Sequence, residues 1–322
     1  MNKTDVPDYA DEFDLVLPTP LRAWRDKRQR LQVSRQRSSV SGGLVKKKYN
    51  VFKFIVTVAY YFVGLFGVTR ALKHLALSPV VNVEEFRVAG LPPSFTGYRI
   101  LHLSDFHLDC LPDIVAKVSS LLANRSFDLC VMTGDYQDSY DLDPAKIKSD
   151  LRNLIRNVSA KKVVATLGNH DSDAAVEVLQ DLGVQVLNNE TLRICRGNDH
   201  ILLTGLDDIH YFYTEASEKA LAGCPDGFKI LAVHSPELYH KAAEAGYKLY
   251  LTGHTHGGQV CLPGGVPIIS HANVPRCMIK GRWRYRSLQG YTNVGVGTSG
   301  LPIRFACPPE IAIINLLPEV TV

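Results

Sequence analysis

From Val80 onward, short apolar runs bounded by polar residues alternate with longer stretches of helical periodicity. Residues 99–104, 128–133, 162–167, 229–234 and 248–252 read as buried strands. Residues 111–124, 143–158, 172–182 and 236–245 read as the helices between them. The alternation predicts an α/β architecture, and later β-rich pieces at 191–195, 200–204, 292–297 and 311–316 predict a second sheet. No repeat of fixed period is present.

The chain before Val80 follows a different pattern. Residues 54–69 are uncharged and mostly apolar, bounded by Lys53, Arg70 and Lys73. A spanning helix needs about 20 apolar residues, so the run is short for one. It lies too deep in the chain for a cleaved leader, and no A-x-A site follows it. The run reads either as a buried core helix or as a membrane attachment, spanning or monotopic. The chain therefore divides into a polar, basic, disordered arm at 1–50, an anchor segment at 51–78 and a catalytic domain at 79–322. Every proposed chemical residue lies after the anchor, so removal of residues 1–78 is expected to leave the site intact.

The net charge of +4 is unevenly spread. Residues 22–48 carry ten bases and one acid, a segment of +9, whereas residues 49–322 carry 25 bases and 26 acids. The arm is either a solvated tail or a polybasic segment drawn to anionic lipid. The near-neutral domain argues against a nucleic-acid partner. Seven cysteines are scattered with no C-x-x-C pair, which argues against a thiolate zinc site and a full disulfide framework and favours a reducing compartment.

Each of the five strands ends in a polar cluster: Asp105-Phe106-His107, Gly134-Asp135, Gly168-Asn169-His170-Asp171, His234, and Gly253-His254-Thr255-His256 followed by two glycines. Ligand sites of α/β sheets form at that carboxyl edge. Carboxylates, imidazoles and one amide, with no thiolate, suit Mn²⁺, Fe²⁺, Zn²⁺ or Mg²⁺, and the donors are numerous enough for two ions.

In order and type these clusters resemble the D-x-H, G-D, G-N-H-D, H and G-H-x-H blocks of the calcineurin-like metallophosphoesterases, over roughly residues 98–316. The resemblance implies a four-layer sandwich of two mixed sheets flanked by helices. It implies two divalent ions, manganese foremost. One is held by Asp105, His107 and His256, the other by Asn169, His234 and His254, with Asp135 bridging. It makes His170 a catalytic group facing the scissile phosphate, oriented by Asp171. Such ions activate water and neutralise phosphate oxygens for in-line attack. The segment after Asp135 lacks the arginine of protein Ser/Thr phosphatases. The G-H-T-H-G-G-Q-V stretch and residues 297–304 look like a membrane-anchored bacterial branch. That branch includes enzymes that hydrolyse UDP-2,3-diacylglucosamine to 2,3-diacylglucosamine 1-phosphate and UMP in lipid A synthesis.

Lys280, Arg282, Arg284 and Arg286 alternate with Gly281, Trp283 and Tyr285, so the cations share one face of a strand. That face is either solvated or a cationic wall; Arg276, Lys280, Arg282 and Arg304 are the candidates for binding a diphosphate. Tyr211, Phe212 and Tyr213 line an acyl groove or belong to the core. The leading expectation is a hydrolase acting on a nucleotide-linked lipid at the inner membrane, facing the cytoplasm. Another phosphodiester substrate, or a non-catalytic scaffold of the same fold, are the alternatives. More bases precede the apolar run than follow it, which places a spanning chain's domain outside the cytoplasm. A cytoplasmic site therefore requires monotopic attachment.

Overall fold

A computed structural model of the chain describes residues 11–17, 21–40, 67–139, 142–270 and 272–319. Residues 51–66, which make up most of the expected anchor, lie outside this set. No helix among the described residues is long and apolar enough to cross a membrane.

The strands are β1 (Asp11–Leu17), β2 (Val80–Val88), β3 (Arg99–Leu103), β4 (Ser126–Thr133), β5 (Ser159–Thr166), β6 (Gln185–Val186), β7 (Glu190–Arg196), β8 (Asp199–Gly205), β9 (Lys229–Ala232), β10 (Leu249–Thr252), β11 (Cys261–Leu262), β12 (Val266–Pro267), β13 (Gly281–Tyr285), β14 (Leu288–Thr292) and β15 (Glu310–Pro318). The helices are α1 (Leu21–Val40), α2 (Val68–Ala76), α3 (Ile114–Leu122), α4 (Lys148–Arg156), α5 (Ala174–Asp181), α6 (Glu215–Ala222) and α7 (Tyr239–Glu244). One sheet runs β2-β15-β3-β4-β5-β6, the other β1-β7-β8-β9-β10-β14-β13, and β11 pairs with β12 in a small hairpin.

Both large sheets are mixed. β3, β4, β5 and β6 are parallel, as are β8, β9, β10 and β14, while β15 meets β3 and β13 meets β14 antiparallel. The short apolar strands are buried on both faces, which is why they read as continuous runs and not as alternations. Ile100, Leu129 and Val164 pack inward against Ile201, Ile230 and Leu249 of the facing sheet. Leu101, Cys130 and Ala165 face outward, toward Val118, Leu154 and Leu179 of α3, α4 and α5. Leu202, Leu231 and Tyr250 do the same beneath Leu221 and Ala242. The result is a helix–sheet–sheet–helix sandwich.

Two assignments change. The five ligand-bearing strands do not share one sheet: β3, β4 and β5 belong to the first, β9 and β10 to the second. The site thus forms between two sheet edges. Residues 311–316 join the first sheet as β15, and residues 292–297 follow β14 as a loop after its last residue, Thr292.

The larger correction concerns residues 11–40, expected to be disordered. β1 extends the second sheet, pairing antiparallel with β7 from Asp11 opposite Arg196 to Leu15 opposite Leu192. Phe13 packs into the inter-sheet core and Trp24 of α1 is buried in the outer one. Arg25 reaches Glu177 of α5 at 3.0 Å, and Gln29 donates to Asp173 at 2.9 Å. Much of the positive charge of α1 therefore sits on a docked helix, with Arg28 buried beneath it.

Candidate metal centre

The carboxyl ends of β3, β4, β5, β9 and β10 converge. Five of the seven expected ligands, Asp105, His107, Asp135, His254 and His256, have φ between 42° and 71°. Non-glycine residues rarely occupy this left-handed region, and such strain clusters at functional sites. Here the turns are held by cross-links: Asp105 N donates to Gly134 O at 3.0 Å, His107 N to Asp135 O at 3.0 Å, and His254 N to the Asp105 carboxylate at 3.0–3.1 Å.

The donors fall into two groups that meet at Asp135. His107 Nε2 lies 3.1 Å from His256 Nε2, which is 3.3 Å from Asp105 Oδ1. His234 Nε2 lies 3.2 Å from His254 Nδ1. Asp135 Oδ2 is 3.1 Å from His234 Nε2 and 3.6 Å from His107 Nε2. Ligands bonded to one ion at about 2.1 Å stand roughly 3.0–3.4 Å apart, and within each group the separations given are 3.1–3.3 Å.

His234 is anchored from both sides. Its Nδ1 donates to Thr133 O at 2.7 Å, and its Nε2 faces the Asp135 carboxylate at 3.1 Å; burial lowers the pKa of the imidazole, but Asp135 raises it well above the ordinary value. A backbone-anchored Nδ1–H is the usual support of a metal-bound histidine. His254 Nε2 is buried with no hydrogen-bond partner. Burial raises the Asp135 carboxyl, but His234 and His170 pull it well below the usual range, so it is ionised. The residues fit two divalent ions.

His170 lies beside the first group, its ring 5.2 Å from that of His107. Its Nδ1 donates to the main-chain oxygen of Asp138, which leaves Nε2 to give or take a proton. Asp171 does not orient this ring. Buried, its Oδ2 accepts from Gly168 N at 2.7 Å and Asp135 N at 2.8 Å, and its Oδ1 from Tyr136 N at 2.8 Å. It clasps the two catalytic loops together.

The expected phosphate-binding cations are each engaged by protein groups. Arg304 is wholly buried and donates to the main-chain oxygens of Val294, Gly295 and Gly297, so it braces the loop behind His256. Arg282 is 3.7 Å from Glu84 and stacks on Phe86, on the β2 side. Arg276 and Lys280 donate to Pro267 O and Gly265 O of the β11–β12 hairpin. Phe212 is core, while Tyr211 is exposed.

Four residues near the site, Arg28, Trp24, Asp207 and His210, escaped the sequence reading as site residues. Arg28 of α1 pairs with buried Asp207 and donates to Asp171 O at 2.8 Å and Gly168 O at 3.2 Å. Trp24 Nε1 donates to the same Asp207 at 2.8 Å. His210 stacks on His254, rings 4.3 Å apart, with its Nε2 3.0 Å from Ser235 Oγ and 3.2 Å from Glu237. The signal was a D-D-x-H run after a strand.

The calcineurin-like phosphoesterase family model matches residues 98–258, half of the chain and the span that carries every expected ligand. The chain belongs to this family. Among its relatives, the uncharacterized metallophosphoesterase YkuE of Bacillus subtilis (strain 168) is 32% identical over 241 residues, covering 70% of this chain and 81% of that one. YkoQ of the same organism, also an uncharacterized metallophosphoesterase, is 28% identical over 229 residues, 68% of this chain and 83% of its own. A transmembrane protein with metallophosphoesterase domain from Danio rerio is 29% identical over 309 residues, 88% of this chain and 66% of its own. The phosphoesterase is a metal-dependent hydrolase.

Proposed function

We propose that this phosphoesterase cleaves a phosphodiester or diphosphate carried by a lipid at a membrane surface. The observation that carries the lipid reading is where the apolar run leads. Val68 and Thr69, the last two residues of the apolar run, open α2, and Leu72 O of α2 accepts from Arg304 N at 3.4 Å. The guanidinium of Arg304 braces the loop behind His256, so one residue links the end of the apolar run to the metal centre. Relatives named as transmembrane proteins, and one named phosphodiesterase YaeI in Escherichia coli (strain K12), agree with this reading.

When bound, the two ions, manganese foremost, neutralise the phosphate oxygens and lower the pKa of a water. The chain's residues do the rest. Asp105, His107 and His256 would hold one ion, Asn169, His234 and His254 the other, and Asp135 both. His170, fixed through Nδ1, presents Nε2 to the leaving oxygen and gives it a proton. Asp171 and Arg28 keep the His170 loop in register with Asp135. UDP-2,3-diacylglucosamine is the narrower candidate, resting on motif resemblance.

A substrate panel with the full chain tests this. UDP-2,3-diacylglucosamine, a phospholipid, bis-p-nitrophenyl phosphate and cyclic nucleotides are compared with Mn²⁺ and with chelator. Metal-dependent turnover fastest on a lipid-borne substrate supports the reading. Preference for a soluble cyclic nucleotide overturns it.

A further inference from the structure

Thirteen large apolar side chains are exposed among the described residues, and six of them, Val260, Leu262, Val266, Ile268, Ile269 and Phe305, lie on the β11–β12 hairpin, its flanks and the residue bridged to it. Scattered exposed apolar residues are ordinary, but a contiguous patch marks a contact surface. Continuity here is built by the backbone. Val260 bridges Phe305, Cys261 N donates to Phe305 O at 3.0 Å, and β11 pairs with β12. Cys261 turns inward onto Val294 and Cys307 while its neighbours Val260 and Leu262 turn out.

The patch lies on the rim of the metal centre. Gly258, two residues after the ligand His256, has φ +88°, and a Cβ there would stand 2.8 Å from Pro267 of the hairpin. Gln259 donates to Ser299 O and Leu301 O at 3.1 and 3.2 Å, and Ser299 Oγ donates to Asp138, whose main-chain oxygen holds His170.

Charge identifies the occupant. Residues 245–309 contain no Asp or Glu and seven Lys or Arg. Two of those cations, Arg276 and Lys280, are exposed and bonded to the hairpin. Two copies of such a face repel each other, whereas anionic lipid attracts it. The apolar run also reaches the folded domain here, because Phe305 follows the Arg304 that meets α2.

We infer that the β11–β12 hairpin, with Phe305, inserts into an anionic bilayer and sets the mouth of the metal centre against the lipid headgroups. This deepens the lipid-substrate reading and rests on it only for the catalytic consequence. Tryptophan placed at the hairpin reports the insertion directly, since Trp24 and Trp283 are both buried. Full-length Ile268→Trp protein is bound to phosphatidylcholine–phosphatidylglycerol vesicles with or without bromine on the acyl chains. A side chain at the headgroup–acyl boundary loses about half its emission to the bromines. Asn198→Trp, in the β7–β8 turn at the opposite sheet edge, is expected to show no difference. Leu262→Trp repeats the test from β11. Equal emission in both vesicle types at positions 262 and 268 overturns the inference, as does emission already shielded without vesicles, which would mean that protein covers the patch. Quenching together with failure of the metal-loaded enzyme on every lipid substrate keeps the docking surface and removes the lipid-substrate reading.

Discussion

Arg28 donates from Nη2 to the main-chain oxygen of Asp171 at 2.8 Å, joining an N-terminal helix to the catalytic loop across 143 residues of sequence. Its Nη1 pairs with Asp207, so the guanidinium lies between a buried carboxylate and the turn that carries Asn169 and His170. The turn is thus held from one side by the side chain of Asp171 and from the other by Arg28.

Arg28→Met is expected to weaken binding of one metal equivalent by about tenfold, a size usual for groups that support ligands. It also strands Asp207, at a cost of about 3–5 kcal/mol. The double variant Arg28→Met/Asp207→Asn is expected to recover melting temperature but not metal affinity. Arg28→Lys is expected to recover neither, because one ammonium cannot span three oxygens. Deleting residues 1–40 removes β1, Trp24 and Arg28 together, so it is expected to impair the site that the sequence alone treats as independent of the arm. Metal competition and thermal unfolding, measured side by side, check all four.

His170→Ala is expected to retain both metals and lose kcat by about 10²–10⁴-fold, the span typical of a proton donor. The ring is held by the Asp138 carbonyl and stands edge-on to that of His107, and it is not one of the seven expected ligands, so its removal leaves both donor groups complete. Metal analysis beside kinetics decides; a variant short of one equivalent would make His170 a ligand.

Gly253→Ala is expected to fold and to lose metal. A Cβ at 253 would collide with Ser104 Oγ and Asp105 Oδ2, so Asp105 must move while the sheets on either side need not. Circular dichroism and metal content separate the two effects.

His102 gives a stability prediction. Wholly buried in β3, its imidazole is pushed down to about 3 by the loss of water around it. Below its ordinary pKa near 6.5 the unfolded chain takes up a proton that the native ring refuses. Stability is therefore full above about pH 6.5 and falls by about 1.4 kcal/mol per unit as pH drops toward 3. His102→Phe keeps a ring beside Tyr291 and removes the titration. Its unfolding free energy is expected to fall less steeply between pH 6.5 and 4 than that of the parent chain.

The expected donors were legible as a group because each follows a short apolar run and the runs alone locate the carboxyl ends of strands. The division of those strands between two sheets was not, since Ile100 and Ile230 are equally apolar whichever sheet they join. The role of Asp171 was hidden for a related reason: two of its three partners lie 35 and 36 positions away, and all three are backbone amides that carry no sequence signature. The arm was misjudged from its net charge. Phe13 and Leu15 alternate with acids as a strand edge does, and Trp24 and Arg28 stand one helical turn apart, but ten bases in 22–48 outweighed both signals.

Asp135 is the residue on which the account depends, since both donor groups close on its carboxylate. Metal content and turnover of bis-p-nitrophenyl phosphate, measured on the parent chain and on Asp135→Ala after chelation and Mn²⁺ titration, test it most directly. The parent chain is expected to take up two equivalents, with turnover rising as the second binds, and Asp135→Ala to lose nearly all turnover and at least one equivalent. Full turnover by protein verified to be metal-free, or an Asp135→Ala chain that binds two equivalents and turns over normally, would contradict the two-metal account.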